Sequence, residues 1–206
     1  MVQTAAERKH RIVSEFRRRE ILEAATKVFA AKGFDAARMD DVAEAAGLAK
    51  GTLYLYFSSK EAIYESAVEQ AAATLAALTD ERVAKASGFS EKIAAFIAVR
   101  IAFWHQHQQL YRIILSINRR EQHRQRSLAW QKHAVLYLEK LLTDAAAIGE
   151  IPDQDFRACA WTTMDGIRGV NERRVFSTGK ATEDDARFLT EFLLHGLRYR
   201  KRAPGC

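Results

Sequence analysis

Residues 49–61 read AKGTLYLYFSSKE, placing a cation, a glycine, a hydroxyl and three aromatic rings within eight positions. Lys50 can donate to guanine O6/N7 or to phosphate, Gly51 lets a backbone come close, and Thr52 can bond either and touch a thymine methyl. Tyr54 and Tyr56 carry phenolic hydroxyls to the flanks of a short helix, where phosphate oxygens pass, while their rings pack inward. Simple core packing is the alternative for both. Leu55 points outward, toward a base or sugar, and Phe57 inward. This is the chemistry of docking, not of bond making. No nucleophile, base and orienter set, no metal spacing and no phosphate loop accompanies it. His105 and His107 stand two apart and face different directions on a helix, unlike the pair four apart that a metal needs. No catalytic, metal or cofactor site is expected.

The elements that must hold this stretch are helical. Alanine-rich apolar runs recur, and prolines stand only at 152 and 204, which argues for an all-α chain of about nine helices. Ile21, Leu22, Ala25, Val28 and Phe29 mark one amphipathic helix, closed at Gly33. Residues 39–57, MDDVAEAAGLAKGTLYLYF, then fit a helix-turn-helix. Val42, Ala46, Leu48, Leu53 and Tyr56 fall where two crossing helices bury side chains. Ala43 is small enough for close approach, and Gly47 sits at the turn, where a positive φ suits glycine. Ser58 with Glu61 suggests a capping box opening the next helix, which runs to about residue 84. Ser90 and Asp153 are expected caps of later helices, and Ser177-Thr178-Gly179 closes the penultimate one.

The run REILEAATKVFAAKGF followed by MDDVAEAAGLAKGTLYLYFSSKEAIY resembles the DNA-binding domain of the TetR family of bacterial transcriptional regulators, closely over about residues 17–64. The resemblance implies a two-domain homodimer whose C-terminal domain binds a small ligand that loosens DNA binding. It sets expected boundaries of 1–16 for a basic arm, 17–64 for the reading head and 65–206 for the ligand and dimer domain. Lys50, Gly51 and Thr52 then lead a recognition helix into the major groove, N-terminus first. Lys60, at the start of the next helix, is expected on phosphate, as are Arg17 and Arg18 beside Arg8, Lys9 and Arg11. Arg38 and Ala49 replace the Ser or Thr usual at two helix caps. Arg38 can instead reach a phosphate, and Ala49 leaves N–H groups open to one.

In the helix from about 153 to 176, Ala158, Thr162, Gly166 and Gly169 form a stripe of small residues. Two helix-interior glycines cost about 1 kcal/mol each relative to alanine, so close helix approach is expected there. With Leu189, Phe192, Leu193, Gly196 and Leu197 of the last helix they suit a dimer face, or a crossing within the chain. Trp161, Met164 and Arg168 lie on the other side. Phe96, Arg100, Phe103, Trp104 and His107, joined by Tyr111, Trp130 and His133, complete a set that suits a small-molecule pocket or a plain helical core. In a pocket, Arg100 and Arg168 favour a planar or anionic ligand with an apolar body. Arg119, Arg120, Arg124 and Arg126 read as a solvated face or a receiver of an acidic group.

Charge does not point to the head. Residues 1–77 hold 11 Lys and Arg against 11 Asp and Glu, and residues 78–206 hold 21 against 15, which supplies the whole +6. The N-terminal residues have no apolar secretion core, no run is long enough to span a membrane, and Cys159 with Cys206 shows no ligand spacing. A cytoplasmic, sequence-specific DNA-binding regulator is expected: a repressor released from a palindromic operator by a small molecule. A ligand-responsive activator and a helical adaptor are the alternatives.

Overall fold

The computed structural model describes residues 4–117, 121–176 and 182–198. Among them are nine α-helices and no strand: α1 Ala5–Lys32, α2 Met39–Ala45, α3 Lys50–Tyr56, α4 Lys60–Ala84, α5 Phe89–Gln106, α6 Gln108–Ile117, α7 Glu121–Ala147, α8 Phe156–Phe176 and α9 Thr182–Arg198. None is long and apolar enough to cross a membrane. The stretches carrying Arg119, Arg120 and Ser177-Thr178-Gly179 lie outside the described residues, as do the side chains of Arg124 and Arg126 and the C-terminal Cys206.

Contacts divide the chain into two compact units. The first comprises residues 1–71 and 109–117, the second 72–108 and 118–206. The expected boundary at 64/65 therefore falls inside α4, which carries chain continuously from one unit into the other. α6, expected in the second domain, joins the first unit. It buries Leu110, Tyr111, Ile113, Ile114 and Ile117 along one face.

The start of the chain also differs from expectation. Residues 5–16 are no separate arm but the first turns of a 28-residue α1. Thr4 Oγ1 accepts from Glu7 N–H at 3.3 Å, and Glu7 Oε2 accepts from Thr4 N–H at 2.8 Å. This reciprocal pair satisfies two groups that a helix start leaves open. α1 stops at Gly33, whose φ of 80° only glycine adopts without strain. Three further caps sit one or two residues from their expected places. Ser59, not Ser58, accepts from Ala62 N–H and opens α4. Asp155, not Asp153, accepts from Ala158 N–H and opens α8. Gly88, not Ser90, precedes α5.

In the first unit Ile21, Ala25 and Phe29 of α1 are buried with Val42, Ala43, Leu53, Phe57 and Ile63. Phe34 meets Phe29 and Tyr64 edge to face, with centroids 5.2 and 5.6 Å apart. Burial pushes the Tyr64 hydroxyl pKa up to about 12. In the second unit α5 lies against α9 and α8, and α7 against α8 and α5. Ile93, Phe96, Ile97 and Ile101 of α5 are wholly buried with Leu138, Leu142 and Ala160. Each such large side chain contributes about 1.5–3 kcal/mol of burial.

Candidate nucleic-acid interface

The reading head is assembled from backbone bonds first. α2 ends where Gly47, at φ 64°, turns the chain. Gly47 N–H bonds Glu44 O at 3.0 Å, and Leu48 N–H reaches back to Ala43 O at 2.9 Å. Together they satisfy the last carbonyls of the helix. α3 follows after two residues, anchored by the fully buried Leu53. Val42 and Ala43 are buried as expected, and Ala46, Leu48 and Tyr56 are half-buried. Tyr54 is 46% exposed and Leu55 84% exposed. Lys50, Gly51, Tyr54 and Leu55 thus make an open edge on α3, with half-buried Thr52 beside them.

The two missing cap hydroxyls are treated differently. At Arg38 the acid three residues on compensates: Arg38 N–H donates to Asp41 Oδ2 at 2.9 Å. Lys32 Nζ holds the other oxygen of Asp41 at 2.7 Å. Lys32 foremost, then the Arg38 amide, keep the Asp41 carboxyl below its ordinary range. The Arg38 side chain is exposed. Ala49 has the extended conformation of a cap, φ −65° and ψ 143°, and no side-chain bond.

Four of the expected phosphate or base cations have partners within the chain. Lys50 Nζ lies 2.7 Å from Asp40 Oδ1, an exposed pair bridging α3 to α2. The Asp40 bond raises the Lys50 pKa. Arg17 pairs with Glu20 at 2.7 Å. Arg18 was expected free for DNA. Instead its Nη1 donates to Tyr56 O at 2.9 Å, and its guanidinium lies 4.2 Å from the Phe57 ring centroid. A cation there complements the negative end of α3 and ties it to α1.

Lys60 differs most. Its Nζ donates to Phe34 O at 2.8 Å, Asp35 O at 2.9 Å and Ala37 O at 3.1 Å. It also stands 4.9 Å from the Phe34 ring centroid. An ammonium has three donors, and all three are used, so Lys60 buckles α4 to the turn between α1 and α2 and has no donor left for phosphate. Sequence reasoning missed this role. The signal available was the non-helical stretch 33–38, whose carbonyls need partners once Phe34 and Ala37 are buried.

The residues expected around a ligand differ in burial and in the unit they belong to. Tyr111 belongs to the first unit. His107 and His133 are exposed, and so is Arg168, which pairs with Asp165 at 2.9 Å and Glu172 at 3.5 Å on its own helix. Trp161 and Met164 pack, half-buried, on the core of the second unit, and Trp130 is half-buried on α7. Phe103 is buried and meets the rings of Trp104 and His107, with centroids 5.2 and 4.3 Å away. Phe96 and Arg100 do come together, 5% of Arg100 remaining exposed and its guanidinium 3.6 Å from the Phe96 ring centroid. Thr79 and Tyr137, which sequence reasoning passed over, complete that cluster: Thr79 Oγ1 accepts from Arg100 at 3.0 Å, and Tyr137 stacks on Phe96 at 5.9 Å.

The small-residue stripe divides as well. A Cβ on Gly166 would stand 3.0 Å from Leu189 Cδ1, so Gly166 and Leu189 serve a close crossing of α8 and α9 within the chain. Ala158, Thr162 and Gly196 are exposed, Gly169 and Leu193 half-buried. Phe192 is 66% exposed and stacks on Phe188, itself 69% exposed, at 6.4 Å.

Residues 21–67 match the family model of bacterial regulatory proteins of the tetR family. Over 53 residues the chain is 49% identical to the uncharacterized HTH-type transcriptional regulator YfiR of Bacillus subtilis, covering 26% of each. Among the first curated relatives the matched stretch spans 26% to 51% of the relative's length, less than two thirds. Solved structures match along nearly the whole chain. The fatty acid degradation regulator FadR of Bacillus halodurans superposes with a TM-score of 0.79 at 22% identity, over 89% of this chain and 97% of that one. The regulator FadR of Bacillus subtilis, in complex with stearoyl-CoA, gives 0.76 at 24%, over 86% and 97%. Sequence identity is concentrated on the helix-turn-helix, where residues 21–67 match the tetR family, and the helical fold is shared almost end to end with the solved structures.

Proposed function

We propose that the chain is a sequence-specific transcriptional repressor, cytoplasmic and homodimeric, released from a palindromic operator by an effector of the fatty-acyl class. The observation that carries the reading is the open edge of α3, where Lys50, Gly51, Tyr54 and Leu55 are exposed on a helix pinned by buried Leu53. A short helix so anchored presents its N-terminal residues to base edges in the major groove. The effector class follows from the FadR-like fold and from the stearoyl-CoA that one such neighbour holds.

The dimer rests on the stacked pair Phe188 and Phe192, which leaves two large rings of α9 in water in the single chain. A second copy of α9 is the occupant that buries both at once, with exposed Gly196 and half-buried Leu193 on the same helix. Two heads held about 34–36 Å apart then meet successive major grooves. α4 runs from the head into the second unit, so an effector that shifts α4 changes that separation. The effector acts only through its difference in affinity for the two arrangements, typically about 1–3 kcal/mol.

A gel shift with the DNA upstream of the chain's own gene tests the reading, with palmitate and palmitoyl-CoA as added effectors. A shifted palindrome released by either supports it. No shift of any palindrome at low salt removes it, and a shift that neither compound changes removes the effector class. In parallel, Phe188→Glu with Phe192→Glu is expected to give a monomer by analytical ultracentrifugation and to abolish the shift.

A further inference from the structure

Arg100 is a cation buried in the core of the second unit, and its neighbours do not neutralise it directly. Its Nη1 donates to Thr79 Oγ1 at 3.0 Å and, at 3.4 Å, to Phe96 O of its own helix. The guanidinium carbon stands 3.6 Å over the Phe96 ring centroid, and Tyr137 stacks on the same ring. The nearby carboxylate, Asp80, is exposed and raises the Tyr137 pKa, after desolvation by burial, which is the larger cause. It acts on Arg100 through space only. Desolvation pulls the Arg100 pKa down to about 10, so the group is still charged at neutral pH.

A buried cation with neutral partners is costly, and a well-packed apolar side chain in its place is often neutral or stabilising. The hydrogen bond to Thr79 does not need a guanidinium, since a lysine or glutamine could make it. What only the guanidinium offers is a planar fork of donors that matches a carboxylate two bonds at a time. Phe96, over which the guanidinium lies, is wholly buried in the core of the second unit, so an anion reaching Arg100 must bring an apolar body.

We propose that Arg100 is the anchor for the free carboxylate of a long-chain acid, so that the acid, and not its coenzyme A ester, is the form of effector this chain recognises. The proposal rests on the reading that the second unit takes a fatty-acyl effector and decides the head group. A thioester carbonyl is neutral and accepts without offsetting the buried charge.

The test is calorimetry on the full chain with palmitate, hexadecanol and palmitoyl-CoA, and on Arg100→Met. Wild type is expected to bind palmitate about 10- to 150-fold more tightly than hexadecanol, the range of one charge-assisted contact. Arg100→Met is expected to lose that preference while melting no lower than wild type. Hexadecanol binding as tightly as palmitate overturns the proposal and needs no variant. So does palmitoyl-CoA binding more tightly than palmitate, although the fatty-acyl reading then stands. A melting temperature that falls in Arg100→Met while its palmitate preference persists makes Arg100 a strut and overturns it too. If none of the three compounds binds wild type, the effector class fails and the proposal fails with it.

Discussion

Replacing Lys60 with methionine separates two readings of the same side chain. Methionine keeps most of the apolar stem and the approach to Phe34 but removes the three donors. Phe34 O and Ala37 O belong to buried residues, and Asp35 O to an exposed one. Leaving a buried acceptor unpaired costs about 1–3 kcal/mol, whereas the exposed carbonyl finds water. Loss of the cation over the ring adds about 0.5–1 kcal/mol. The bonds share one donor group and one turn, so they do not add fully, and a net loss of about 2–3 kcal/mol is expected in the first unit. Urea unfolding followed by tyrosine fluorescence measures it. The slope of log affinity against log salt on an operator gives the second readout. A phosphate contact contributes about 0.9 to that slope, or about 1.8 for two heads. The buckle predicts a large stability loss and an unchanged slope. A stability loss under about 0.5 kcal/mol, with the slope falling by about 1.8, would refute it and put Lys60 on the DNA.

Three shorter predictions bear on other elements. Ala49→Ser supplies the missing cap oxygen of α3 and is expected to stabilise the head by about 1 kcal/mol, seen as a higher midpoint in urea. Gly166→Val inserts branched carbons where one Cβ already comes within 3.0 Å of Leu189. It should cost about 1–3 kcal/mol of overpacking and lower the thermal midpoint, and no change would mean that α8 and α9 do not cross there. Asp41 has its pKa depressed by Lys32 and by the Arg38 amide. A carboxyl lowered in the folded state contributes stability above its ordinary value of 3.8 and loses it as the pH falls through the folded value. Asp41→Asn should therefore be less stable than wild type at pH 6, with the gap closing as the pH falls below the ordinary carboxyl value of 3.8.

Periodicity and turn chemistry made the helices legible, because both act within a few residues. The positive φ at Gly33 and Gly47, the buried Leu53 and the outward Leu55 all follow from local pattern. The capping box Thr4-Ala5-Ala6-Glu7 was just as local, yet it hid behind the basic residues that suggested a loose arm. What pattern does not carry is partnership over distance. Arg18 meets Tyr56 O across 38 positions, and Lys60 reaches Phe34 O across 26. Arg100 meets Thr79 across 21. A stripe of aromatic and basic residues reads the same whether its cations end in exposed ion pairs, as Arg168 does, or in the core, as Arg100 does. α6 was misplaced for a related reason: amphipathicity says that a helix buries one face, not which unit receives it.

The same long-range partners explain how a head with no net charge can serve a polyanion. Counted from sequence, Arg17, Arg18, Lys50 and Lys60 were among the cations expected on DNA. Folded, Arg18 and Lys60 hold the ends of α3 and α4 to the rest of the head, fixing the helix proposed to enter the groove. Their charge is spent on carbonyls, which are dipoles and not counter-ions, so it still adds to the field toward which DNA drifts. Lys50 is held differently. Its partner Asp40 is a carboxylate, both groups are about half exposed, and an exposed pair is worth at most about 1 kcal/mol. Such a pair is easily traded for a guanine or a phosphate. It also keeps the leading lysine of α3 away from wrong partners until one arrives, because any new acceptor must do better than Asp40. In the proposed reading, orientation would come from the cations that do not let go, and discrimination from the one that can.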